Sequence, residues 1–111
     1  MRVAIFISGR GSNMQRIVAD SRQANCPYEV ALIGSNRQNA DGLRWAKEQQ
    51  INSFDFSFGE RNKDEVERDI TQELERHDIN MIALAGYMRV LGTKFVQHWH
   101  GRLINIHPSL L

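Results

Sequence analysis

Three short stretches of the chain carry groups able to do chemistry. The first is Ser8-Gly9-Arg10-Gly11-Ser12-Asn13. Its glycines let the backbone turn tightly and approach a ligand closely. Amides at the start of a following helix, with the Ser12 hydroxyl and the Asn13 side chain, can hold a phosphate. A dinucleotide fingerprint would need glycine where Met14 stands, and no Gly-Lys-Ser/Thr of a P-loop follows. The same residues would also make a plain tight turn, with Ser12 or Asn13 as helix cap. Their position after the first strand favours a monophosphate site.

The second stretch is Asn105-Ile106-His107-Pro108-Ser109. Residues two apart on a strand point the same way, so Asn105 and His107 share a face. An amide donor beside an imidazole suits acyl-type transfer: Asn105 can donate to a developing oxyanion, and His107 can move protons or stabilise that charge. Taken alone, Asn-x-His reads more simply as a polar strand end satisfying local backbone groups. The third stretch, Gly86-Tyr87-Met88-Arg89-Val90-Leu91, is an apolar loop with one cation. Backbone groups around Arg89 to Leu91 can line a pocket for a flat ring, and plain packing over the sheet edge fits equally well. His98-x-His100 has no Cys or carboxylate at ligand spacing and reads as a solvated helix end. Cys26 lacks an activating neighbour. Glu60 to Arg68 reads as a solvated helical face, from which Arg61 or Lys63 can reach an anion.

Alternating elements must position these stretches. Val3–Ile7, Tyr28–Gly34, Ser53–Phe56, Met81–Ala85 and Leu103–Ile106 read as strands. Helices are expected over 13–23, from the spacing of Met14, Ile17 and Val18, over 40–50 with Leu43 and Ala46 inward, and starting near Thr93. The best-marked helix has Asn62 as cap, Glu65 in capping-box position and a Val66, Ile70, Leu74 stripe. Strand–helix alternation with short connections implies right-handed βαβ units. The expected fold is therefore α/β: a Rossmann-like parallel sheet of order 3-2-1-4-5 with helices on both faces. Ligands would bind beyond the carboxyl ends of the strands, where the order reverses between the first and fourth.

The 111 residues suit one domain. Fourteen Lys and Arg against thirteen Asp and Glu leave a net charge of +1, which argues against nucleic-acid and membrane-surface binding. The 41% hydrophobic content supports a core, and a single cysteine excludes an internal disulfide. The first apolar run ends in turn residues too early for a signal peptide, and no stretch approaches the roughly 20 apolar residues of a membrane span. A cytoplasmic protein is expected. The chain stops directly after a strand on two leucines, Leu110 and Leu111, which suggests a truncated form.

Ile7-Ser8-Gly9-Arg10-Gly11-Ser12-Asn13-Met14-Gln15, Leu84-Ala85-Gly86-Tyr87-Met88-Arg89-Val90-Leu91 and Asn105-Ile106-His107-Pro108-Ser109-Leu110-Leu111 occur in this order. Together they resemble the N-terminal half of the phosphoribosylglycinamide formyltransferases, from Arg2 to Leu111. The resemblance implies a formyltransferase fold lacking its C-terminal part, with residues 1–111 as the phosphate-binding part of the domain. It implies transfer of a formyl group from 10-formyltetrahydrofolate to the amine of glycinamide ribonucleotide in purine biosynthesis, with no metal. By that likeness Gly11, Ser12 and Asn13 hold the substrate phosphate, and Met88, Arg89, Val90 and Leu91 line the pterin pocket. Asn105 contacts the formyl oxygen, and His107 stands near the reacting centre. Lys63 stands where the family has an arginine near the folate or formyl group, with Arg61 close by. The family's catalytic aspartate would follow Leu111, so a chain ending there is expected to be inactive. The family leaves room for a homodimer.

Two other folate-dependent formyl enzymes, formyltetrahydrofolate deformylase and methionyl-tRNA formyltransferase, share an Asn-x-His motif. The deformylase usually carries a further domain before its first strand, and the Gly-Ser-Asn loop favours a ribonucleotide substrate. A reading of a different class is an inactive ribonucleotide-binding fragment, which would bind phosphate ligands without turnover.

Overall fold

The computed structural model describes residues 1–87 and 89–106. Five strands, β1 (Arg2–Ile7), β2 (Glu29–Ser35), β3 (Asn52–Asp55), β4 (Met81–Ala85) and β5 (Leu103–Ile106), form one sheet in the order β3-β2-β1-β4-β5. Every pairing is parallel. The helices are α1 (Ser12–Ser21), α2 (Asp41–Glu48), α3 (Lys63–Arg76) and α4 (Thr93–His98). The strand order and reversal point are those expected from the sequence.

The central strand β1 is buried continuously from Val3 to Ile7 because both its faces are covered. Its alternation divides the core in two. Val3, Ile5 and Ile7 pack with Met14 and Val18 of α1 and Leu43 and Ala46 of α2. Ala4 and Phe6 pack on the other face with Val66, Ile70 and Leu74 of α3 and with Phe95 and Trp99. Full burial of an Ile, Leu or Phe side chain contributes about 1.5–3 kcal/mol, so these stripes fix which face each helix covers. The Trp99 indole N–H also donates to Thr71 Oγ1 at 3.1 Å, tying the end of α4 to α3.

Boundaries differ from the sequence expectation by a residue or two for local reasons. Helix α1 begins at Ser12, because Gly11 occupies the N-cap in a left-handed conformation, φ 73°. The N-cap is a glycine and forms no side-chain cap bond, and among the described residues neither Ser12 nor Asn13 plays that part. Helix α2 stops at Glu48, and Gln50 turns left-handed at φ 62°. Strand β3 covers 52–55, although the Phe56 N–H still donates to the Ser35 carbonyl at 2.9 Å. Asn62 does cap α3, its Oδ1 accepting from the Asp64 N–H at 2.8 Å.

Candidate functional site

In a parallel sheet the connections after β1 and β4 leave in opposite directions, α1 towards β2 and α4 towards β5, and open a crevice between them. Helix α1 packs on one face of the sheet and α4 on the other. The crevice lies at the carboxyl ends of the strands. The described parts of the three stretches singled out from the sequence lie at that edge.

The loop after β1 is built from backbone. Gly11 at φ 73° is a conformation that costs other L-residues, and a Cβ there would lie 2.6 Å from Met14 Cε. This turn lets the Gln15 N–H close the first helical bond on the Gly11 carbonyl at 2.9 Å. The first-turn amides of Ser12, Asn13 and Met14 precede any intrahelical partner and stand at the positive end of the helix dipole, at the carboxyl edge. Ser12 is exposed and Asn13 half-buried. Helix α2 reaches the same loop, the Gly42 N–H donating to the Gly9 carbonyl at 3.2 Å. A Cβ on Gly42 would run into Ile7, with the Gly9 and Arg10 carbonyl oxygens each 3.2 Å away. Glycine in the first turn of a helix is unfavourable; here it permits the close approach, and that misfit was the sequence signal for it.

Asn105 lies in a row that crosses the whole sheet: Phe54, Gly34, Phe6, Leu84 and Asn105 are successive cross-strand partners. It is therefore level with Phe6, two residues short of Ser8, and exposed. Two strand spacings, about 10 Å, separate β5 from β1. Asn105 and the Ser12 end of α1 thus share one edge. Alternation puts Asn105 on the Leu103 face, the side of α3 and α4. His107 and Met88 lie outside the described residues.

The Gly86–Leu91 loop is held by side chains from elsewhere. Tyr87 sets its ring against Phe6 at 5.7 Å and Phe56 at 5.9 Å between centroids. Burial, followed by the charge of Glu67, pushes the Tyr87 phenol up to about 12, while Arg89 opposes the rise. The Arg89 guanidinium lies 3.9 Å above the Phe58 ring. Leu91 is half-buried against the α3 side of the core. Val90, 81% exposed, forms the rim. Lys63 is the first residue of α3 and is half-buried. Arg61 is turned along α3 to Asp69, 2.6 Å away.

The segment from Glu60 to Arg68 is not a solvated face throughout, because Glu67 is only 4% exposed. It stands four residues after Lys63 on the inward stripe with Ile70 and Leu74. Both its carboxylate oxygens lie 3.1 Å from the Gly92 N–H, which donates to them. Its place on that stripe was the available signal, masked by charged neighbours. His98 behaves as expected, exposed at the end of α4 and 3.4 Å from Glu75. Among the described residues no cluster of three His, Cys, Asp or Glu is placed to hold a metal, and no helix is long and apolar enough to cross a membrane.

The family profile described as formyl transferase matches residues 1–111, the whole chain. The phosphoribosylglycinamide formyltransferase of Bacillus subtilis is 39% identical over 111 residues, covering 99% of this chain and 57% of its own length. The trifunctional purine biosynthetic protein adenosine-3 of Drosophila melanogaster is 41% identical over 113 residues, which is 99% of this chain and 8% of that protein. Among solved structures, the phosphoribosylglycinamide formyltransferase of Brucella melitensis superposes with a TM-score of 0.93 at 38% identity, covering 99% of this chain and 58% of the other. The chain thus spans little more than half of its single-function relatives. Its sheet order, its carboxyl-edge loops and its full-length match agree: the chain belongs to the formyl transferase family.

Proposed function

We propose that this chain supplies the ribonucleotide-binding and formyl-polarising half of a phosphoribosylglycinamide formyltransferase, an enzyme moving a formyl group from 10-formyltetrahydrofolate to the amine of glycinamide ribonucleotide. The observation that carries this reading is the convergence of the α1 N-terminus, the Gly86–Leu91 loop and Asn105 on one carboxyl edge around the β1/β4 reversal. Gly11, Ser12 and Asn13 receive the phosphate through first-turn amides and short polar side chains. Arg89, Val90 and Leu91, with Met88, border the pterin, and Lys63 stands at the start of α3 beside the folate. The Asn105 amide donates to the formyl oxygen as the substrate amine attacks the formyl carbon. His107 assists the proton that the amine must lose, and collapse of the tetrahedral adduct breaks the carbon–nitrogen bond to the folate.

The test is calorimetric titration of the chain with glycinamide ribonucleotide, beside an assay of tetrahydrofolate release from 10-formyltetrahydrofolate. Ser12→Asp places a carboxylate where the phosphate would sit and should weaken ribonucleotide binding at least tenfold; Asn105→Ala should leave that binding within twofold. Equal affinity in the chain and in Ser12→Asp would overturn the phosphate assignment. Ribonucleotide binding without turnover is the expected result for these 111 residues, and formyl transfer by them alone would overturn the reading of the chain as half of the catalytic unit.

A further inference from the structure

The part of the molecule that the proposed chemistry leaves unused is the buried carboxylate of Glu67. Removing a carboxylate from water is costly unless charge or hydrogen bonds replace the lost hydration. Among the described residues Glu67 has no ion-pair partner: Lys94 faces Asp64 at 3.7 Å, and Arg61 faces Asp69. What it has is the Gly92 N–H, shared between its two oxygens at 3.1 Å each, at the N-cap of α4. The fit is mutual, because a Cβ on Gly92 would collide with Glu67 Oε1.

This bond closes the far end of the Gly86–Leu91 loop. The near end is fixed by β4 and by Tyr87 against Phe6 and Phe56, and Arg89 rests on Phe58. Between Arg89 and Gly92, Val90 stands in solvent, and Leu91 is only half-buried. Gly92 is therefore the point at which side-chain packing gives way to a single directed polar contact. A charge-assisted bond to a backbone amide fixes distance and direction as an apolar contact does not.

We propose that Glu67 is a positioning residue for the folate side of the site: through the Gly92 amide it sets where the backbone of Arg89–Leu91 stands at the carboxyl edge. This role rests on the formyl-transfer reading, under which that backbone borders the pterin. Glu67 touches neither substrate, and the phosphate loop lies on the other side of the crevice. Its loss should therefore separate the two binding steps.

Glu67→Ala leaves the Gly92 N–H without its acceptor, whereas Glu67→Gln keeps a side-chain oxygen able to accept the same bond. Titration of the full chain with 5-formyltetrahydrofolate should show affinity about tenfold weaker in Glu67→Ala and largely restored in Glu67→Gln. Affinity for glycinamide ribonucleotide should stay within twofold in both. Hydrogen exchange at the Gly92 amide should accelerate in Glu67→Ala. If that variant does not fold, Gly92→Ala attacks the same contact from the other partner and should give the same loss of folate binding. Faster exchange at Gly92 with unchanged folate affinity overturns the role of Glu67, as does equal weakening of both ligands. A wild-type chain that binds the ribonucleotide but no folate overturns the folate reading itself, and the exchange measurement still decides whether Glu67 holds Gly92.

Discussion

The two loops that face each other across the crevice are made in opposite ways. The loop after β1 is shaped by its own backbone: Gly11 turns left-handed at the N-cap, forming no side-chain cap bond, and the first-turn amides of α1 stand at the carboxyl edge. The loop after β4 is shaped by residues distant in the chain, with Phe6 and Phe56 under Tyr87, Phe58 under Arg89 and Glu67 on Gly92. A phosphate is met by amides whose direction local conformation sets. A flat ring needs a wall at a given position in space, which only tertiary contacts supply. Damage to the aromatic core should therefore reach the second loop first.

The largest effect follows from Phe6→Ala. Phe6 is fully buried, and its ring meets Phe54, Phe56, Tyr87 and Phe95. Truncation should cost about 3–5 kcal/mol in urea unfolding. Exchange should accelerate at the Gly92 amide, whose bond to Glu67 closes the second loop, before it does at the Gln15 amide, bonded to the Gly11 carbonyl. A loss under about 1 kcal/mol would mean that the aromatic cluster does not support the second loop.

Alkaline titration sharpens the same contrast. The Tyr87 phenol is raised from its ordinary value of 10.0 to about 12 by burial and then by the Glu67 charge. Below the unfolded value both states hold the proton, and this contribution to stability is fully present; as pH rises towards about 12 the unfolded chain releases its proton first, and the contribution is lost. Stability should thus fall between pH 10 and about 12, and the fall should be smaller in Tyr87→Phe. Absorbance titration should place the Tyr87 transition lower in Glu67→Gln than in the wild type. Identical titrations would remove Glu67 from the surroundings of Tyr87.

This difference in construction also explains what could be read from the sequence. The sheet order follows from apolar runs alternating with i, i+3, i+4 stripes, and Val66, Ile70 and Leu74 are buried as that pattern requires. Gly9, Gly11 and Ser12 announce a tight loop because its geometry is local. Glu67 was hidden for the converse reason: its acceptor role exists only once α3 and the start of α4, 25 positions apart in the chain, are packed together. The α2 approach through Gly42 lies between the two: glycine in a first turn is a local signal, but its partner, the Gly9 carbonyl, is one that no periodicity reveals.

The smallest effects compare the two helix starts. Asn62 caps α3 with a 2.8 Å bond to the Asp64 N–H, so Asn62→Ala should cost about 1 kcal/mol. Ser12 opens α1 but is exposed and caps nothing, because Gly11 holds the N-cap. Ser12→Ala should therefore change stability by less than about 0.5 kcal/mol. If the hydroxyl serves a phosphate, the same substitution should still weaken ribonucleotide binding several-fold. A stability loss at Ser12 equal to that at Asn62 would show that the hydroxyl works for the helix, and would leave the phosphate to the backbone amides alone.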